Sequence, residues 1–188
     1  MSAVGADEKP DEIELAGANG AKQRPLAAHG QKATVLLFLT HDCPISNAYA
    51  PEINRIVADY SARKVAFFLV FVEADLTPAG AKKHAEEFGF KATALLDPKH
   101  ELVKLAQATV TPEAAVFSPE GKLLYRGRVD DLFADIGKRR QSPTTRELRD
   151  ALNAALAGKA IAVPATKAVG CFIEPVKPQD VSPRGKRD

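Results

Sequence analysis

A chain of 188 residues, of which 45% are hydrophobic and 27% charged, can bury one ordinary core and suggests one domain with some chain left over. Its 26 basic and 24 acidic residues nearly balance at +2, and no basic block lies inside the predicted domain, so we expect no nucleic-acid partner. No stretch approaches the roughly 18 apolar residues of a membrane-spanning helix, so we expect no membrane insertion.

The first ten residues predict a disordered N-terminus or the remnant of a signal peptide. Val4 and Ala6 stand at the two positions that a signal peptidase requires to be small. No apolar segment precedes them, so an ordinary disordered terminus is the alternative. The first interpretation predicts a periplasmic or otherwise exported protein, and the second a cytoplasmic one.

Residues 11–158 predict strands and helices in alternation. A short strand or hairpin over 13–30 leads into an apolar strand over 33–39, and apolar residues spaced by three and four predict a helix after it. The continuous apolar run over 65–72 predicts a strand with both faces buried, at the centre of a parallel sheet. Together these elements predict parallel strands joined by helices.

The next elements continue this alternation. Thr77 and Pro78 predict the start of a helix that ends at Gly89, and a short strand over 93–96 follows. Asp97 then repeats the capping signal for a helix through Ala106.

The last part of the domain predicts an antiparallel edge and a final helix. Strands over 114–117 and 122–129 are joined by a Ser-Pro-Glu-Gly turn, which predicts a hairpin. Thr144 and Glu147 predict a capping box for a helix that ends at Gly158. The whole order predicts an α/β fold with a central mixed β-sheet flanked by helices.

The proline-rich segment 159–188 shows little periodicity. We predict a C-terminal extended arm that becomes disordered near its end. Cys171 lies on this arm.

Cys43 lies where the apolar strand ends and the amphipathic helix begins. At a helix N-terminus, unpaired backbone N–H groups and the positive end of the dipole favour a thiolate, which is the nucleophilic form of cysteine. Pro44 suits the first helical turn, where a missing N–H costs nothing. A small buried hydrophobic residue is the alternative, but the position makes Cys43 the candidate nucleophile.

The chain contains two cysteines, Cys43 and Cys171. Two are too few for a disulfide scaffold, and their separation in sequence is too large for a zinc knuckle. They either pair with each other or act separately. No glycine-rich phosphate loop or nucleotide fingerprint is present, so the sequence implies no organic cofactor.

Four patches carry a resemblance to a known family. They are Phe38–Ser46 with Asn47 and Pro51, Thr111-Pro112, Tyr125–Asp131, and Gly170–Ile173. On these residues the chain resembles the thioredoxin-like redoxin superfamily over residues 10–175. Within it the chain is similar to bacterial peroxiredoxin-like proteins of the alkyl hydroperoxide reductase and thiol-specific antioxidant type. The resemblance implies a thioredoxin-like fold.

The resemblance to thioredoxins implies roles for several residues. Pro51 follows Cys43 by eight residues, as a helix-kinking proline follows the first cysteine of the thioredoxin CxxC pair. The second cysteine position of that pair is Ser46, so Cys171 or an external thiol must resolve a mixed disulfide at Cys43. Thr111-Pro112 resembles the cis-proline element that faces the active site and receives the substrate chain.

The resemblance to peroxiredoxins is less complete. Thr40 has the offset of their peroxide-binding threonine, three residues before the cysteine, but Leu36 stands where they have a proline. Their arginine, which positions the peroxide, is absent from the expected strand. Arg126 and Arg128 are candidates for this charge support.

Alternative roles remain open for the arginines, for His41 and for Cys171. The arginines could instead lie on an exposed strand face, paired with Asp130 or Asp131. An imidazolium at His41 would lower the pKa of Cys43, unless the two adjacent side chains point apart.

Some peroxiredoxins resolve their sulfenic acid with a C-terminal cysteine. The resemblance therefore suggests pairing of Cys171 with Cys43, provided that their Cα atoms approach within roughly 4.4–6.8 Å. A buried inert cysteine and an exposed thiol for another molecule are the alternatives. His29, His84 and His100 are expected at the surface and receive no role.

These residues leave three functions to weigh. The first is a thiol-disulfide oxidoreductase that acts on a thiol or disulfide protein partner through Cys43. The second is a thiol peroxidase that reduces small hydroperoxides, with an external thiol or Cys171 as reductant. The third is a non-enzymatic Cu(I)-binding module using His41, Cys43 and Cys171 as soft ligands.

Overall fold

The structure, a computed structural model, describes residues 9–176. The predictions about the small residues near the N-terminus and about the end of the C-terminal arm lie outside the described residues. Between these limits, no helix has the length and apolar character needed to cross a membrane.

The strands are numbered along the chain. They are β1 (Leu15–Gly17), β2 (Lys22–Gln23), β3 (Ala33–Leu39), β4 (Val65–Phe71), β5 (Thr93–Leu96), β6 (Val110–Thr111), β7 (Glu113–Phe117), β8 (Leu123–Gly127), β9 (Phe133–Asp135), β10 (Lys138–Arg139) and β11 (Cys171–Phe172). The helices are α1 (Pro44–Ala48), α2 (Ala50–Ser61), α3 (Pro78–Glu87), α4 (Glu101–Ala106) and α5 (Glu147–Leu156).

Seven strands form the central sheet, in the order β2-β1-β5-β4-β3-β7-β8. Strand β4 is parallel to β3 and β5, whereas β7 is antiparallel to β3 and β8. The predicted mixed sheet is therefore confirmed, with its parallel strands at the centre and its hairpin at one edge. The N-terminal hairpin β1–β2 extends the other edge, where β1 pairs antiparallel with β5.

Both faces of strand β3 are covered. All seven of its residues are buried. Val35 and Leu37 belong to one hydrophobic cluster, while the alternating residues Leu36 and Phe38 belong to the other. Because successive strand residues point to opposite faces, a sheet with a core on each side needs an uninterrupted apolar run. The two buried faces predicted for the run 65–72 belong to β4, the middle strand, where five of seven residues are buried and Ala66 and Phe68 are half-buried.

Helix α3 begins as its sequence predicts. The Thr77 hydroxyl accepts a hydrogen bond from the Gly80 N–H at 3.1 Å. Helix α4 begins later than predicted, at Glu101 rather than directly after Asp97. The Asp97 carboxylate still accepts hydrogen bonds from three N–H groups of the first turn, including Glu101 at 2.7 Å. A turn ending at His100, with a φ of 58°, separates the cap from the helix.

The predicted capping box at the start of α5 is wrong. Thr144 donates its N–H and its hydroxyl to the Asp131 carboxylate, and the Glu147 carboxylate pairs with Arg128. Burial alone would raise the pKa of Asp131, but the hydrogen bonds led by Thr144 and the charge of Arg140 lower it to about 2. Because Thr144 and Glu147 both bind residues outside the helix, neither caps it, and α5 begins at Glu147 without a side-chain cap.

The C-terminal segment is an extended arm, as predicted, and it crosses one end of the sheet. Its first attachment is to β8, where the Arg126 N–H donates to Pro164 O and the Thr166 N–H donates to Arg126 O, both at 3.0 Å. Its second attachment is β11, which pairs antiparallel with β6. The arm therefore reaches β6, the short strand before β7, close to the end of β3 where Cys43 lies.

Candidate active site

Cys43 is the N-cap residue of α1. Its backbone is extended, and the Ser46 N–H points at its Sγ at 3.5 Å. Pro44 is the first residue of the helix, as predicted. The predicted single helix is divided into α1 and α2 at Tyr49, because Pro51 has no N–H to continue the hydrogen-bond ladder. Strand β3 and this short helix together fix the position of the sulfur.

The residues before and across from Cys43 form a threonine pair. Thr40 Oγ1 lies 3.0 Å from Thr111 Oγ1, and the Cys43 thiol donates to Thr111 O at 3.2 Å. The Thr111-Pro112 peptide bond is cis, as the resemblance predicts. The structure thus brings Thr40, Thr111 and Pro112 together around Cys43, which is only 1% exposed.

Cys171 also lies at this point. Strand β11 places Cys171 opposite Thr111 in an antiparallel pair. The Cys171 Sγ lies 2.6 Å from the Cys43 Sγ, although the two residues are 128 positions apart in sequence. Both cysteines are in the free form. The arm therefore delivers a second thiol to the first one.

The environment favours different protonation states at the two sulfurs. Burial alone would raise the pKa of Cys43, but hydrogen bonds donated by Cys171 and Ser46 more than offset it, so the net pKa is lowered. Burial and the hydrogen bond to Cys43 raise the pKa of Cys171 to about 12, and the Asp42 charge adds to the effect. Because the thiolate is the nucleophilic form of cysteine, these pKa shifts favour Cys43 over Cys171 as the nucleophile.

Gly170 allows the arm to come this close. A Cβ atom at this position would overlap Thr111 O and would lie 2.6 Å from Thr111 C and 3.1 Å from Pro112 N. These are backbone atoms, so they cannot rotate away as a flexible side chain could. A side chain therefore has no room at Gly170 while the arm is docked.

His41 turns towards a residue that sequence reasoning missed. Its backbone N–H donates to Glu73 Oε1 at 2.6 Å, and its ring Nδ1 lies 2.7 Å from the same oxygen. Glu73 follows the carboxyl end of β4, which is parallel to β3, and the ends of parallel strands meet at one sheet edge. The position of Glu73 just after a predicted parallel strand could therefore have placed it near His41.

Two histidines expected at the surface are buried, so that prediction is wrong. His84 Nε2 lies 2.8 Å from Asn47 Oδ1, and burial lowers the pKa of its ring. His100 Nε2 lies 2.7 Å from Val72 O. Ala81, His84 and Phe88 are spaced by three and four along α3, so helical periodicity contained the signal.

The structure does not bring the two candidate arginines to Cys43 as charge support. The Arg126 guanidinium donates to Gln107 O and lies 3.7 Å from a Glu113 carboxylate oxygen. Arg128 is paired with Glu147. Both cations are thus held by carboxylates, although not by the aspartates that the sequence suggested.

A cleft of about 680 Å³ opens beside Cys171. Its walls include four carboxylates, contributed by Asp42, Glu73, Asp75 and Glu174. The structure therefore places the Cys171 sulfur in the wall of an acidic cleft.

The ligand set suggested for Cu(I) is not assembled in the part of the chain that the structure describes. There the cluster of candidate metal ligands around His41 is completed by Asp42 and Glu73, not by Cys43 and Cys171. The two sulfurs and the imidazole do not form one three-ligand group.

Comparison with known families gives a match over most of the chain. The model of the Redoxin family matches residues 6–138. No curated protein matches the sequence.

Solved structures match over more of the chain. An uncharacterized conserved protein from Geobacillus kaustophilus is 28% identical, with a TM-score of 0.73 over 88% of this chain and 89% of that one. A hypothetical protein from Sinorhizobium meliloti 1021 is 19% identical, with a TM-score of 0.74 over 92% and 95%. A secreted Mycobacterium tuberculosis disulfide oxidoreductase homologous to E. coli DsbE is 21% identical, with a TM-score of 0.54 over 81% and 99%. The last two likenesses show the fold.

Proposed function

The chain belongs to the Redoxin family of thioredoxin-like redox proteins, and from that premise we propose that it is a thiol-disulfide oxidoreductase whose redox pair is Cys43 and Cys171. The observation that carries the proposal is the 2.6 Å separation of the two sulfurs. A disulfide bond is about 2.05 Å long, so the two thiols need to move very little to form one. No other thiol is available locally, because Ser46 occupies the second position of the CxxC pattern.

In the proposed reaction, the arm first opens, because Cys43 is only 1% exposed while the arm is docked, and the Cys43 thiolate then attacks one sulfur of a partner disulfide. A bond forms between Cys43 and that sulfur, and the partner's other sulfur leaves as a thiolate. Cys171 then loses its proton to the departing thiolate or to solvent and attacks Cys43 Sγ. The Cys43–Cys171 disulfide forms, the partner's second thiolate leaves, and two electrons have passed from the pair to the partner.

The protein around the pair supports this sequence of steps. The Ser46 N–H and the Cys171 thiol both stabilise the Cys43 thiolate by hydrogen bonding. The edge of β6 holds Cys171 in register opposite Thr111. When the arm docks again, the second step is therefore an attack between neighbouring groups held in register, which lowers the entropy cost of bringing them together.

Thiol peroxidase activity is the second candidate. Cys171 lies where it could condense with a sulfenic acid at Cys43, with loss of water. Thr40 has the offset of a peroxide-binding threonine, and its hydroxyl contacts Thr111. Against this candidate, the two arginines proposed to support a peroxide are paired with Glu113 and Glu147.

The test is a thiol count with intact mass after the reduced protein meets one equivalent of oxidant, either glutathione disulfide or hydrogen peroxide. We expect loss of both thiols within a monomer and the mass of an internal disulfide. Cys43→Ser should abolish the reaction, whereas Cys171→Ser should stop at a mixed disulfide on Cys43 with glutathione disulfide and at a sulfenic acid on Cys43 with peroxide. A faster reaction with peroxide than with glutathione disulfide would favour the peroxidase. Retention of both thiols after treatment with each of the two oxidants would refute both candidates.

Export of the protein is a further part of the proposal. The small residues that suggested a signal-peptidase site lie outside the described residues. The M. tuberculosis structural neighbour is described as secreted, and thiol pairs that cycle through disulfides also occur in oxidising compartments. Fractionation of cells expressing the native gene tests this, and recovery of the protein solely in the cytoplasm would refute it.

A further inference from the structure

The two sulfurs of the pair differ in their access to solvent. Cys43 is 1% exposed and is enclosed by Ser46, Thr111 and the arm itself. Cys171 is half-buried and lines the acidic cleft of about 680 Å³. With the arm docked, a molecule arriving from solvent therefore meets Cys171 before it can meet Cys43.

The two sulfurs also differ as leaving groups. In thiol-disulfide exchange the sulfur with the lower thiol pKa leaves faster. Cys43 leaves as a thiolate at the N-terminus of α1, where the Ser46 N–H still points at its Sγ, whereas no backbone N–H is directed at the Cys171 sulfur in the described chain and burial raises the pKa of Cys171. Attack on Cys171 with departure of Cys43 is thus favoured over the reverse.

From these two differences we infer that an external thiol reduces the oxidised pair by attacking Cys171 from the cleft, not by attacking Cys43. The inference rests on the proposed function, since it requires a Cys43–Cys171 disulfide. A thiolate attacks Cys171 Sγ and forms a mixed disulfide, and Cys43 leaves as a thiolate. A second molecule of the thiol attacks the first one's sulfur, the two form their own disulfide, and Cys171 leaves and takes up a proton. Two electrons have then entered the pair.

The walls of the cleft indicate which thiols enter most readily. Asp42, Asp75 and Glu174 are exposed and have no ion pair or side-chain hydrogen bond with any residue of the described chain. Glu73 is shared with His41, and no lysine or arginine lines the cleft between residues 9 and 176. His100 also lines the cleft, and its ring Nε2 lies 2.7 Å from Val72 O. A cleft of one charge sign concentrates ligands of the opposite sign, so the reductant class that fits is a thiol bearing a positive charge.

The point of attack can be tested on the full chain in its oxidised form. Intact mass first establishes the internal disulfide. The protein then meets cysteamine for a short, timed interval. N-ethylmaleimide in excess over all thiols stops the reaction and labels the released protein thiol, and peptide mapping locates both groups. We expect cysteamine on Cys171 and maleimide on Cys43. Cysteamine on Cys43 with maleimide on Cys171 would overturn the inference while leaving the proposed function intact. Failure to form the internal disulfide would refute both.

The charge preference has its own measurement. The rates at which cysteamine and mercaptopropionate reduce the oxidised protein are first expressed per thiolate. Each rate is then divided by the rate at which the same thiol reduces hydroxyethyl disulfide, which removes the intrinsic difference in reactivity between the two thiols. We expect about a tenfold preference for cysteamine at low salt, weakening as salt is added. Asp42→Asn combined with Asp75→Asn should reduce the preference, whereas the matched control Asp150→Asn, on the exposed side of α5, should not. Equal normalised rates would overturn the charge selection.

Discussion

Replacing Gly170 with alanine should release the arm from the active site. The new Cβ would overlap Thr111 O and approach Thr111 C and Pro112 N to 2.6 and 3.1 Å. Side-chain Cβ atoms do not come this close to backbone atoms, so either the cis-proline loop or the arm must move. The loop is anchored in the sheet through β7, whereas β11 is a two-residue strand near the end of the described chain. We therefore expect the arm to move.

The size of the effect follows from what holds the arm segment in place. Strand β11 pairs with β6, and the Ile173 N–H donates to Thr109 O at 3.0 Å. At about 1 kcal/mol net for each backbone hydrogen bond, two or three such bonds hold the segment by about 3 kcal/mol. Since 1.4 kcal/mol corresponds to a factor of ten, the wild-type arm is open about 1% of the time. Gly170→Ala should therefore expose Cys43 about 100-fold more often.

The assay is the alkylation rate of Cys43 in the reduced protein, read by peptide mapping under second-order conditions with iodoacetamide. Gly80→Ala is the control, because Gly80 lies within α3 without a positive φ and the new Cβ would chiefly meet the flexible end of the Leu76 side chain. The variant should also lose most of its internal disulfide on oxidation, while its circular dichroism stays that of the wild type. An unchanged alkylation rate at Cys43 would refute the argument that backbone contact at Gly170 controls docking.

Three further changes should have measurable effects. In the pH profile of alkylation, the midpoint for Cys43 should lie below the ordinary thiol pKa of about 8.5. Cys171→Ala should move that midpoint to higher pH, because a hydrogen-bond donor to the Cys43 thiolate is lost. Ser46→Ala removes a buried hydroxyl that helps to lower the pKa of Cys43 and makes no other hydrogen bond within the described chain, so the alkylation profile of Cys43 should move upward while urea unfolding of the reduced protein changes by no more than about 1 kcal/mol; an unchanged profile would contradict this. The Asp131 carboxylate, whose pKa is lowered to about 2 chiefly by Thr144, stabilises the native state above its unfolded pKa of about 3.9. That contribution should be lost as pH falls from about 4 to about 2, and Asp131→Asn should flatten the acid-unfolding curve in this window; an unchanged curve would contradict the assignment.

Local signals in the sequence predicted most of the fold. The seven-residue apolar run of β3 and the longer run at β4 specified buried parallel strands, because a strand covered on both faces has no polar side. Thr77 predicted the start of α3, since a hydroxyl accepts the orphan N–H groups of the first turn. The position of Cys43 at a strand-to-helix junction was also available locally.

Predictions failed where a residue found a better partner far along the chain. Thr144 and Glu147 have the spacing of a capping box, but Asp131 and Arg128 bind them instead. His84 was expected in solvent, yet its ring is buried and bonded to Asn47. In each case the partner lies more than ten residues away in sequence. Residue spacing along one helix therefore cannot show whether the side chain binds locally, faces solvent or binds a distant residue.

The sequence by itself determined the class of chemistry, because a cysteine preceding a helix, followed eight residues later by a proline, is a local pattern. It left open whether Cys171 was a partner, an inert core residue or a thiol for another molecule. Tertiary structure places Cys171 beside Cys43 by pairing β11 with β6, which brings the two sulfurs to 2.6 Å across 128 residues of chain and supports the proposed partnership. The physical reason is that strand pairing over such a separation depends on the free edge of β6 and the room at Gly170, which exist only once the sheet has formed.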